Sequence, residues 1–353
     1  MTYRLTIEPL GQDVAVDEQQ TLLDAALRAG IYLPHACCHG LCGTCKVQLL
    51  EGSVDDGDAS SFALLDFERA EGHTLACVAK PCSDVTIEAD VEIDPDARVE
   101  PVADYIGTVA ELRALSSTAR GVVIELDRAL TFQAGKYINL HLPGVALPRA
   151  FSLANPPAQS RRIELHVRRV EGGEATTFIH EHLKPGDRVR VSGPYGRFFI
   201  RKSAPENILL FAAGTGLSSI RSMLLDLLTE GVRRQITLFY GQRHRAELYL
   251  HEELQALAET HDHFHYVPCL SRPLPEDHWQ GAVGHVHEVA AAHFGGRFAG
   301  HKAYLCGPPG MVDACITTLM RGRLFERDIY TERFIDAADA TRQLRKSPLF
   351  KVV

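Results

Sequence analysis

The pattern of hydrophobic and polar residues changes twice along this chain of 353 residues, which divides it into three stretches. In the first stretch, Thr21–Ala29 places apolar residues on one helical face and is followed by Gly30, a residue suited to the left-handed end of a helix. The strands predicted beside this helix lie at 3–9, 14–16, 46–50 and 85–89. The first stretch is therefore expected to be a small α+β unit.

The second stretch consists of short strands separated by glycine and proline turns, which predicts an antiparallel barrel with one helix near 176–182. Its strands are predicted at 107–112, 121–126, 137–142, 163–170 and 188–192. In the third stretch, apolar strands alternate with helices, a pattern typical of a parallel, doubly wound sheet. The strands of that sheet are predicted at 208–212, 235–240, 264–267 and 303–306. The acidic segment 90–101 contains two prolines and is the best linker candidate.

Charge is distributed unevenly between these stretches. Residues 1–100 contain 19 Asp and Glu against 6 Lys and Arg, a net charge of −13, whereas the rest of the chain has a net charge of +5. An acidic surface argues against binding to nucleic acid and favours docking to a partner with a basic patch. A contribution to solubility alone is the alternative.

The chain has no apolar run of the roughly 18–20 residues that span a bilayer, so no membrane association is expected. Its first residues alternate as a strand does and do not resemble the core of a signal peptide. A reducing, cytoplasmic location is therefore expected.

Four cysteines have the spacing of ligands to a plant-type 2Fe–2S cluster, with three in a C-x4-C-x2-C loop and a fourth 32 positions further on. They are Cys37, Cys42, Cys45 and Cys77. Zinc more often takes two C-x2–4-C pairs, and the odd total of nine cysteines argues against a set of disulfides. Cys38 is out of register with the loop pattern. Three further cysteines are expected to be small buried apolar residues: Cys82, Cys269 and Cys315.

Two segments of the barrel stretch carry groups suited to a diphosphate. Arg149–Ser152 offers a guanidinium that can bind such a group with two hydrogen bonds. The turn at Gly173 leads into a helix whose start contains Thr176, and the N–H groups there suit the same anion. Either segment alone is also compatible with an ordinary strand or turn, but their order inside a barrel favours the binding site.

The third stretch carries two segments suited to a nucleotide. Gly214–Gly216 lies between a buried strand and a helix, which is where α/β sheets bind nucleotides. Further along, Cys306 ends a strand beside Gly307 and Pro308, where a thiol is well placed to contact a nicotinamide ring. By its motif alone, the Gly-Thr-Gly turn is not specific.

Taken in order, these motifs resemble those of the ferredoxin–NADP reductase superfamily. They are Arg149–Ser152, Gly193–Gly196, Gly214–Gly216, Tyr304–Pro308 and Glu332–Phe334. With the cysteines in front, the chain resembles the reductase components of bacterial multicomponent oxygenases, and more narrowly those of the phenol hydroxylases. The stretches that carry this narrower resemblance are Pro34–Cys37, Arg149–Pro157, Ile316–Met320 and Gly322–Ile329.

The resemblance implies a multidomain α+β and α/β protein. A β-grasp 2Fe–2S ferredoxin domain would cover 1–92, an antiparallel FAD-binding β-barrel 103–203, and a doubly wound, parallel-sheet NAD-binding domain 204–335. The linker would then be 93–102 and the C-terminal tail 336–353.

The resemblance also implies roles at the flavin. Arg149 would bind the FAD diphosphate and Ser152 would lie near flavin N5, while Phe151 takes the place of a tyrosine beside the flavin but lacks its hydroxyl. Phe334 would stack on the isoalloxazine until nicotinamide replaces it, with Tyr330 as a less favoured candidate. The other residues implied in FAD binding are Ala150, His166, Val167, Gly173, Glu174, Ala175 and Thr176.

At the nicotinamide, the resemblance implies that Cys306 and Glu332 act with Ser152 at the transfer site. Nucleotide binding would also involve Gly214, Thr215, Gly216, Gly307 and Pro308. The segment Gln242–Arg245 would suit the extra phosphate of NADPH, but the resemblance favours NADH.

The expected function is therefore an NADH-dependent reductase that passes electrons from NADH through FAD and a 2Fe–2S cluster to the terminal hydroxylase of a phenol diiron monooxygenase. The reductase of a Rieske aromatic-ring dioxygenase has the same domain order and is the alternative among enzymes. A 2Fe–2S electron carrier or redox sensor without enzymatic activity is the alternative from another class, and the nucleotide motifs count against it.

Overall fold

The computed structural model describes residues 1–36, 38–91 and 94–334. The chain divides into two compact units, of which the first comprises residues 1–103 and the second begins at Asp104. Cys37, the first linker residue Ile93 and the predicted tail 336–353 lie outside the described residues.

The first unit contains a mixed sheet with the strand order β2-β1-β7-β3-β5. Its elements are β1 (Thr2–Glu8), β2 (Gln12–Asp17), α1 (Leu22–Arg28), β3 (Lys46–Glu51), β4 (Val54–Asp55), α2 (Asp66–Ala70), β5 (His73–Leu75), β6 (Lys80–Pro81) and β7 (Val85–Glu88). The Thr21 side chain accepts a hydrogen bond from the N–H of Asp24 and caps α1, and Gly30 follows the helix at a φ of +79°. The predicted strands at 3–9 and 14–16, which pair as an antiparallel hairpin, and the predicted helix are confirmed, and the unit has the expected ferredoxin fold.

The second unit begins with a nearly closed antiparallel barrel with the strand order β11-β10-β13-β8-β9-β12. Its elements are β8 (Ala103–Ala114), β9 (Ala119–Leu126), β10 (Tyr137–His141), β11 (Arg149–Ser152), β12 (Arg162–Arg168), α3 (Glu174–Glu181) and β13 (Arg188–Tyr195). A bridge between Leu153 and Leu165 brings the two ends of the sheet together. The barrel predicted from the short strands is therefore confirmed.

A parallel sheet follows, with the strand order β17-β16-β15-β14-β18-β19. Its elements are β14 (Asn207–Ala213), α4 (Leu217–Thr229), β15 (Ile236–Gln242), α5 (His251–Thr260), β16 (Phe264–Leu270), β17 (Ala282–Val283), α6 (Val286–His293), β18 (His301–Gly307), α7 (Pro309–Arg321) and β19 (Ile329–Arg333). The order reverses beside β14, the first of these strands, as in doubly wound sheets. The pattern missed β17 and β19 but predicted the class of the sheet correctly.

Alternate residues of β14 enter two different cores. Leu210 packs with α4 residues such as Ile220 on one face, whereas Phe211 packs with α7 residues such as Ile316 on the other. Because both faces are covered by helices, β14 is apolar from Ile208 to Ala213. The strand leads at its carboxyl end into the Gly214–Gly216 turn.

The prediction that three cysteines are buried is confirmed for two of them and wrong for the third. Cys269 and Cys315 are fully buried, but Cys82 is exposed. Cys82 directly follows β6, a two-residue strand that pairs with β4 in a separate two-stranded sheet. Among the described residues, the larger sheet of this unit does not include that strand, which leaves Cys82 at the surface.

Candidate functional site

The cysteine loop brings together thiols that are distant in the sequence. Cys45 and Cys77 are both buried, and the N–H of Ala76 donates to the carbonyl of Cys45 at 3.0 Å. A hydrogen bond shared with the Cys77 thiol, together with burial, raises the pKa of Cys45. Cys42 is half-buried, and its Sγ donates to Thr44 Oγ1 at 3.3 Å.

The glycines of this loop lie against a neighbouring segment. Gly40 and Gly43 have φ values of +70° and +74°, and a Cβ on either would lie 3.2 Å from the backbone of Ala59 or Ala63. The loop can therefore approach that segment closely only with glycine at these two positions. Cys38 also has a left-handed φ of 56°, a backbone conformation that residues other than glycine rarely adopt.

Thiolates on a glycine-containing loop are the donors that a 2Fe–2S cluster requires, so the described residues fit that group chemically. Within residues 1–36, 38–91 and 94–334, no three His, Cys, Asp or Glu side chains are gathered as metal ligands. Because Cys37 lies outside these ranges, the set of four ligands stays a prediction from spacing.

The predicted diphosphate residues occupy the barrel edge. Arg149 is exposed at the start of β11, where its guanidinium donates to the carbonyls of Leu147 and Pro148 at 3.2 and 3.1 Å. Ala150 is exposed and Phe151 half-buried, whereas Ser152 is buried. The order along β11 thus runs from an exposed cation to a buried hydroxyl, which suits a ligand with a charged and an uncharged end.

The second predicted phosphate segment forms the start of α3. Gly173 precedes the helix in an extended conformation, and Thr176 Oγ1 donates to its carbonyl at 3.2 Å. A Cβ on Gly173 would lie 2.7 Å from that Oγ1. Glu174 is exposed and Ala175 is buried.

His166 and Val167 lie in β12 with buried side chains. The His166 ring lies between Glu164, whose Oε1 is 3.4 Å from Nε2, and Tyr249, whose hydroxyl is 3.4 Å from Nδ1. Burial lowers the pKa of His166, which favours the neutral ring.

A carboxylate accepts hydrogen bonds from three side chains at the carboxyl ends of the parallel strands. Glu332 Oε2 lies 2.5 Å from Ser219 Oγ, 3.2 Å from Ser152 Oγ and 3.4 Å from Cys306 Sγ. The three predicted catalytic residues, Ser152, Cys306 and Glu332, are thus brought together. Burial raises the pKa of Glu332, although the three donors act in the opposite direction.

The strand pairing explains this meeting. Cys306 in β18 is directly opposite Glu332 in β19, so both side chains leave the same face of the sheet. Burial, followed by the charge of Glu332, raises the pKa of Cys306, so it is a thiol and not a thiolate.

The nucleotide turn packs tightly against the same strand end. A Cβ on Gly216 would lie 2.2 Å from the carbonyl oxygen of Cys306, so only glycine fits there. Gly214 has a φ of +57°, and Thr215 is buried. Pro308 begins α7 directly after Gly307.

The two candidate aromatics differ in their surroundings. Phe334 is half-buried, and its N–H donates to the carbonyl of Gly307 at 2.9 Å, which places it at the same strand ends. Tyr330 stacks on Tyr304 with ring centroids 5.0 Å apart, and the Arg201 guanidinium covers it at 3.8 Å. Because Tyr330 is packed on Tyr304 and covered by Arg201, the geometry favours Phe334 as the aromatic of the site.

The sequence reasoning did not select Ser219, although it supplies the shortest of the hydrogen bonds to Glu332. One signal could have found it. Ser218, Ser219 and Ser222 are hydroxyl residues on the buried face of α4 directly after the nucleotide turn, and a buried hydroxyl needs a partner.

Comparison with known protein families identifies three domains in the chain. Family models match residues 5–82 as a 2Fe-2S iron-sulfur cluster binding domain, 107–200 as an oxidoreductase FAD-binding domain and 210–316 as an oxidoreductase NAD-binding domain. The protein is therefore an iron–sulfur flavoprotein oxidoreductase that uses a nicotinamide nucleotide.

Relatives of nearly full length define the family. The reductase component of phenol 2-monooxygenase from Pseudomonas sp. (strain CF600) is 57% identical over 99% of each chain, and the phenol hydroxylase P5 protein from Acinetobacter pittii is 54% identical over the same shares. The chain belongs to the family of the phenol 2-monooxygenase reductase components, which confirms the predicted resemblance.

Solved structures agree with the fold. The Amycolatopsis cytochrome P450 reductase GcoB is 34% identical, with a TM-score of 0.86 over 94% of this chain and 99% of its own. The ferredoxin reductase in carbazole 1,9a-dioxygenase is 27% identical, with a TM-score of 0.78 over 95% and 99%. Within the described residues, no helix is both long and apolar enough to cross a bilayer.

Proposed function

We propose that this chain takes electrons from NADH and delivers them to the terminal hydroxylase of a phenol diiron monooxygenase. The observation that carries the proposal is the meeting of Ser152 from the barrel with Cys306 and Glu332 from the parallel sheet at one carboxylate oxygen. It supports a site at which flavin and nicotinamide come together. The identity of 57% with a phenol 2-monooxygenase reductase component supports the choice of partner.

The cofactors supply the redox chemistry, since nicotinamide gives up two electrons together, flavin exchanges electrons in pairs or singly, and a 2Fe–2S cluster carries one. The residues supply binding and position. The hydroxyl groups of Ser152 and Ser219 donate hydrogen bonds to Glu332, and these bonds hold its carboxylate in place. Gly216 lets the nucleotide turn contact the strand that carries Cys306.

The proposal of NADH is supported by the state of the basic segment Gln242–Arg245. Arg245 donates to Glu252 at 3.2 Å, and His244 Nδ1 lies 2.7 Å from the carbonyl of Arg272. These groups are already engaged, which weakens this segment as a site for the additional phosphate of NADPH.

Docking to the hydroxylase is supported by charge and by exposed apolar side chains in the first unit. Residues 1–100 have a net charge of −13. Phe62 is 94% exposed and Phe67 58% exposed, and the N–H of neighbouring Ser60 donates to the carbonyl of Gly40 in the cysteine loop. Exposed phenylalanines in an acidic unit, near the cysteine loop in the chain, suit a partner surface that combines apolar and basic groups.

The proposal is tested with the purified protein. We expect bound FAD, acid-labile sulfide, and reduction of cytochrome c by NADH in preference to NADPH. Mixed with the terminal hydroxylase of a phenol 2-monooxygenase, the protein should support phenol hydroxylation, whereas a Rieske oxygenase should receive electrons slowly. Equal or faster coupling to the Rieske oxygenase would overturn the choice of partner, and a lack of flavin bleaching by NADH would leave only an electron carrier.

A further inference from the structure

One turn of α4 contacts both the barrel and the carboxylate of Glu332. This helix begins directly after the nucleotide turn. Its Ser219 donates to Glu332, as described above, while Arg221 and Ser222, two and three residues further along, donate to carbonyls of the barrel. A single rigid element therefore touches both sides of the transfer site.

Arg221 is the central group of this contact. Its side chain is only 12% exposed, and its Nη1 donates to the carbonyl of Ala154 at 2.9 Å and lies 3.3 Å from Glu164 Oε2. Its Nε and Nη2 bind both carboxylate oxygens of Glu253 at 2.7 and 3.2 Å. A guanidinium held by two carboxylates and a carbonyl has little freedom to move, which suits it to fix a distance.

Glu164, the barrel carboxylate that binds Arg221, also lies close to His166 and Arg113. Burial alone would raise its pKa, but the hydrogen bond from His166 and the charges of Arg221 and Arg113 lower the pKa of Glu164 to about 2. The carboxylate therefore stays ionised near neutral pH and binds Arg221 throughout that range.

The barrel segment that these residues hold follows Ser152 directly. Ser222 Oγ donates to the carbonyl of Asn155 at 2.7 Å, and Asn155 Oδ1 accepts the N–H of Glu164 at 2.9 Å. The N–H of Ala154 donates to the carbonyl of Glu164 at 2.8 Å. Ala154 and Asn155 are thus tied both to β12 and to α4.

These contacts close a ring. It runs from Ser152 to Glu332, from Glu332 to Ser219 and along α4 to Ser222, and it returns through Asn155 to Ser152. We propose that Arg221 and Ser222 are positioning residues for electron transfer from nicotinamide to flavin, because they set the separation between Ser152 of the barrel and Glu332 of the parallel sheet. This inference rests on the NADH-to-FAD step of the proposed function.

The physical reason is that transfer rates depend steeply on the geometry of the reacting groups. A misplacement of about 1 Å by a residue away from the chemistry can cost on the order of a hundredfold in rate. Loss of Arg221 removes the ion pair to Glu164 of β12 and the hydrogen bond to the carbonyl of Ala154, so the barrel segment can shift while the nucleotide turn itself is unchanged.

The test uses the purified holoprotein and three variants of α4: Arg221→Gln, Arg221→Lys and Ser222→Ala. Stopped-flow bleaching of FAD over a range of NADH concentrations separates the limiting rate constant from the Kd for NADH. Hydrogen–deuterium exchange over residues 153–159 and visible circular dichroism of bound FAD report position independently of turnover. Arg162→Gln is the matched control, because Arg162 lines a surface cleft together with Glu164 and Arg221, but its side chain is 51% exposed and forms ion pairs with Glu111 and Glu125 instead of with α4.

We expect Arg221→Gln to lower the limiting rate constant roughly tenfold or more, with the Kd for NADH changed less than about threefold. Exchange over 153–159 should rise and the circular dichroism of FAD should change. Arg221→Lys keeps the charge but loses the planar guanidinium that binds two groups at once, so its limiting rate constant should be intermediate. Ser222→Ala should lower the rate constant about threefold. The control should match the wild type in every measurement.

The proposal is overturned if the rate constant stays at the wild-type value while exchange over 153–159 rises, or if the loss appears only in the Kd for NADH. If Arg221→Gln does not fold, the milder Arg221→Lys and Ser222→Ala decide by the same criteria. Failure of the proposed function is distinguishable, since the wild type itself would then show no bleaching by NADH.

Discussion

The hydroxyl of Ser152 donates to Glu332 Oε2 at 3.2 Å, although the two residues are 180 positions apart in the sequence. Ser152 ends a barrel strand, and Glu332 lies in β19 of the parallel sheet. Their contact defines where the two halves of the second unit meet. Ser219 and Cys306 donate to the same oxygen of Glu332. The protonation state of Glu332 is therefore linked to the stability of the folded site.

This coupling predicts a pH dependence of stability. The raised pKa of Glu332 means that the folded protein holds this proton more tightly than the unfolded chain, whose glutamate has a pKa of about 4.3. Protonated Glu332 thus contributes stability that is full below the unfolded pKa and is lost as the pH rises through the raised pKa. We expect the difference in Tm between wild type and Glu332→Gln to fall as the pH increases across that window.

The control for this experiment is Glu171→Gln, on an exposed turn. Its difference in Tm from the wild type should be constant over the same pH range. A wild-type advantage over Glu332→Gln that grows with pH would show that the folded carboxyl prefers to be ionised, contrary to the burial argument.

A second prediction concerns the contact between the nucleotide turn and β18. In Gly216→Ala, the new methyl group would lie 2.2 Å from the carbonyl oxygen of Cys306, a backbone atom that cannot rotate away. The φ of Gly216 is −58°, so the cost is steric and not conformational. We expect a loss of about 1–3 kcal/mol in the free energy of unfolding and weaker binding of NADH.

Gly310→Ala is the matched substitution. Gly310 lies in α7, and a Cβ there would meet nothing within 4 Å. Since alanine favours the helix over glycine, this variant should be neutral or more stable by up to about 1 kcal/mol. Chemical denaturation followed by circular dichroism measures both variants, and equal losses in the two would refute the close contact at Gly216.

The sequence predicted the parts of this site that depend on local signals. The cysteine spacing, the Gly-Thr-Gly turn between β14 and α4, and the strand end at Cys306 each occupy a few consecutive residues with a recognisable pattern. The resemblance to known reductases then implied that Ser152, Cys306 and Glu332 act at one transfer site, and the hydrogen bonds of Ser152 and Cys306 to Glu332 support that prediction.

The parts that the sequence could not predict depend on packing between distant elements. Ser219 and Arg221 look like ordinary helix residues until β19 and the barrel segment are placed beside them. The exposure of Cys82 was missed for a related reason, because only the arrangement of β4 and β6 in a separate two-stranded sheet shows that this position lies at the surface. The strand β17 has only two residues, too few to show the alternation of apolar and polar positions by which a strand is predicted.

A third prediction separates the two redox modules. Cys77→Ala should abolish the 2Fe–2S cluster, because it removes one of the four thiolates that the spacing predicts as ligands. Reduction of ferricyanide by NADH through FAD should stay within about twofold of the wild type, whereas cytochrome c reduction should fall at least about tenfold. Acid-labile sulfide and the visible spectrum report the cluster directly.

Cys82→Ala is the control for this prediction, since Cys82 is exposed and outside the set of four cysteines. It should keep the sulfide content and both activities. Loss of ferricyanide reduction in Cys77→Ala would mean that the flavin half does not work without the cluster.

A fourth prediction concerns the docking step. The negative charge of the first hundred residues should accelerate association with a basic partner, and salt screens this attraction over a Debye length of about 8 Å at 0.15 M. We expect phenol hydroxylation by the reconstituted system to fall several-fold between about 0.05 and 0.5 M NaCl, while ferricyanide reduction changes less than about twofold. Phe62→Ala should weaken hydroxylation at every salt concentration, because it removes an apolar contact that salt does not screen. If ferricyanide reduction by the wild type declined with salt as steeply as hydroxylation, the charge would act inside the reductase and not on its partner.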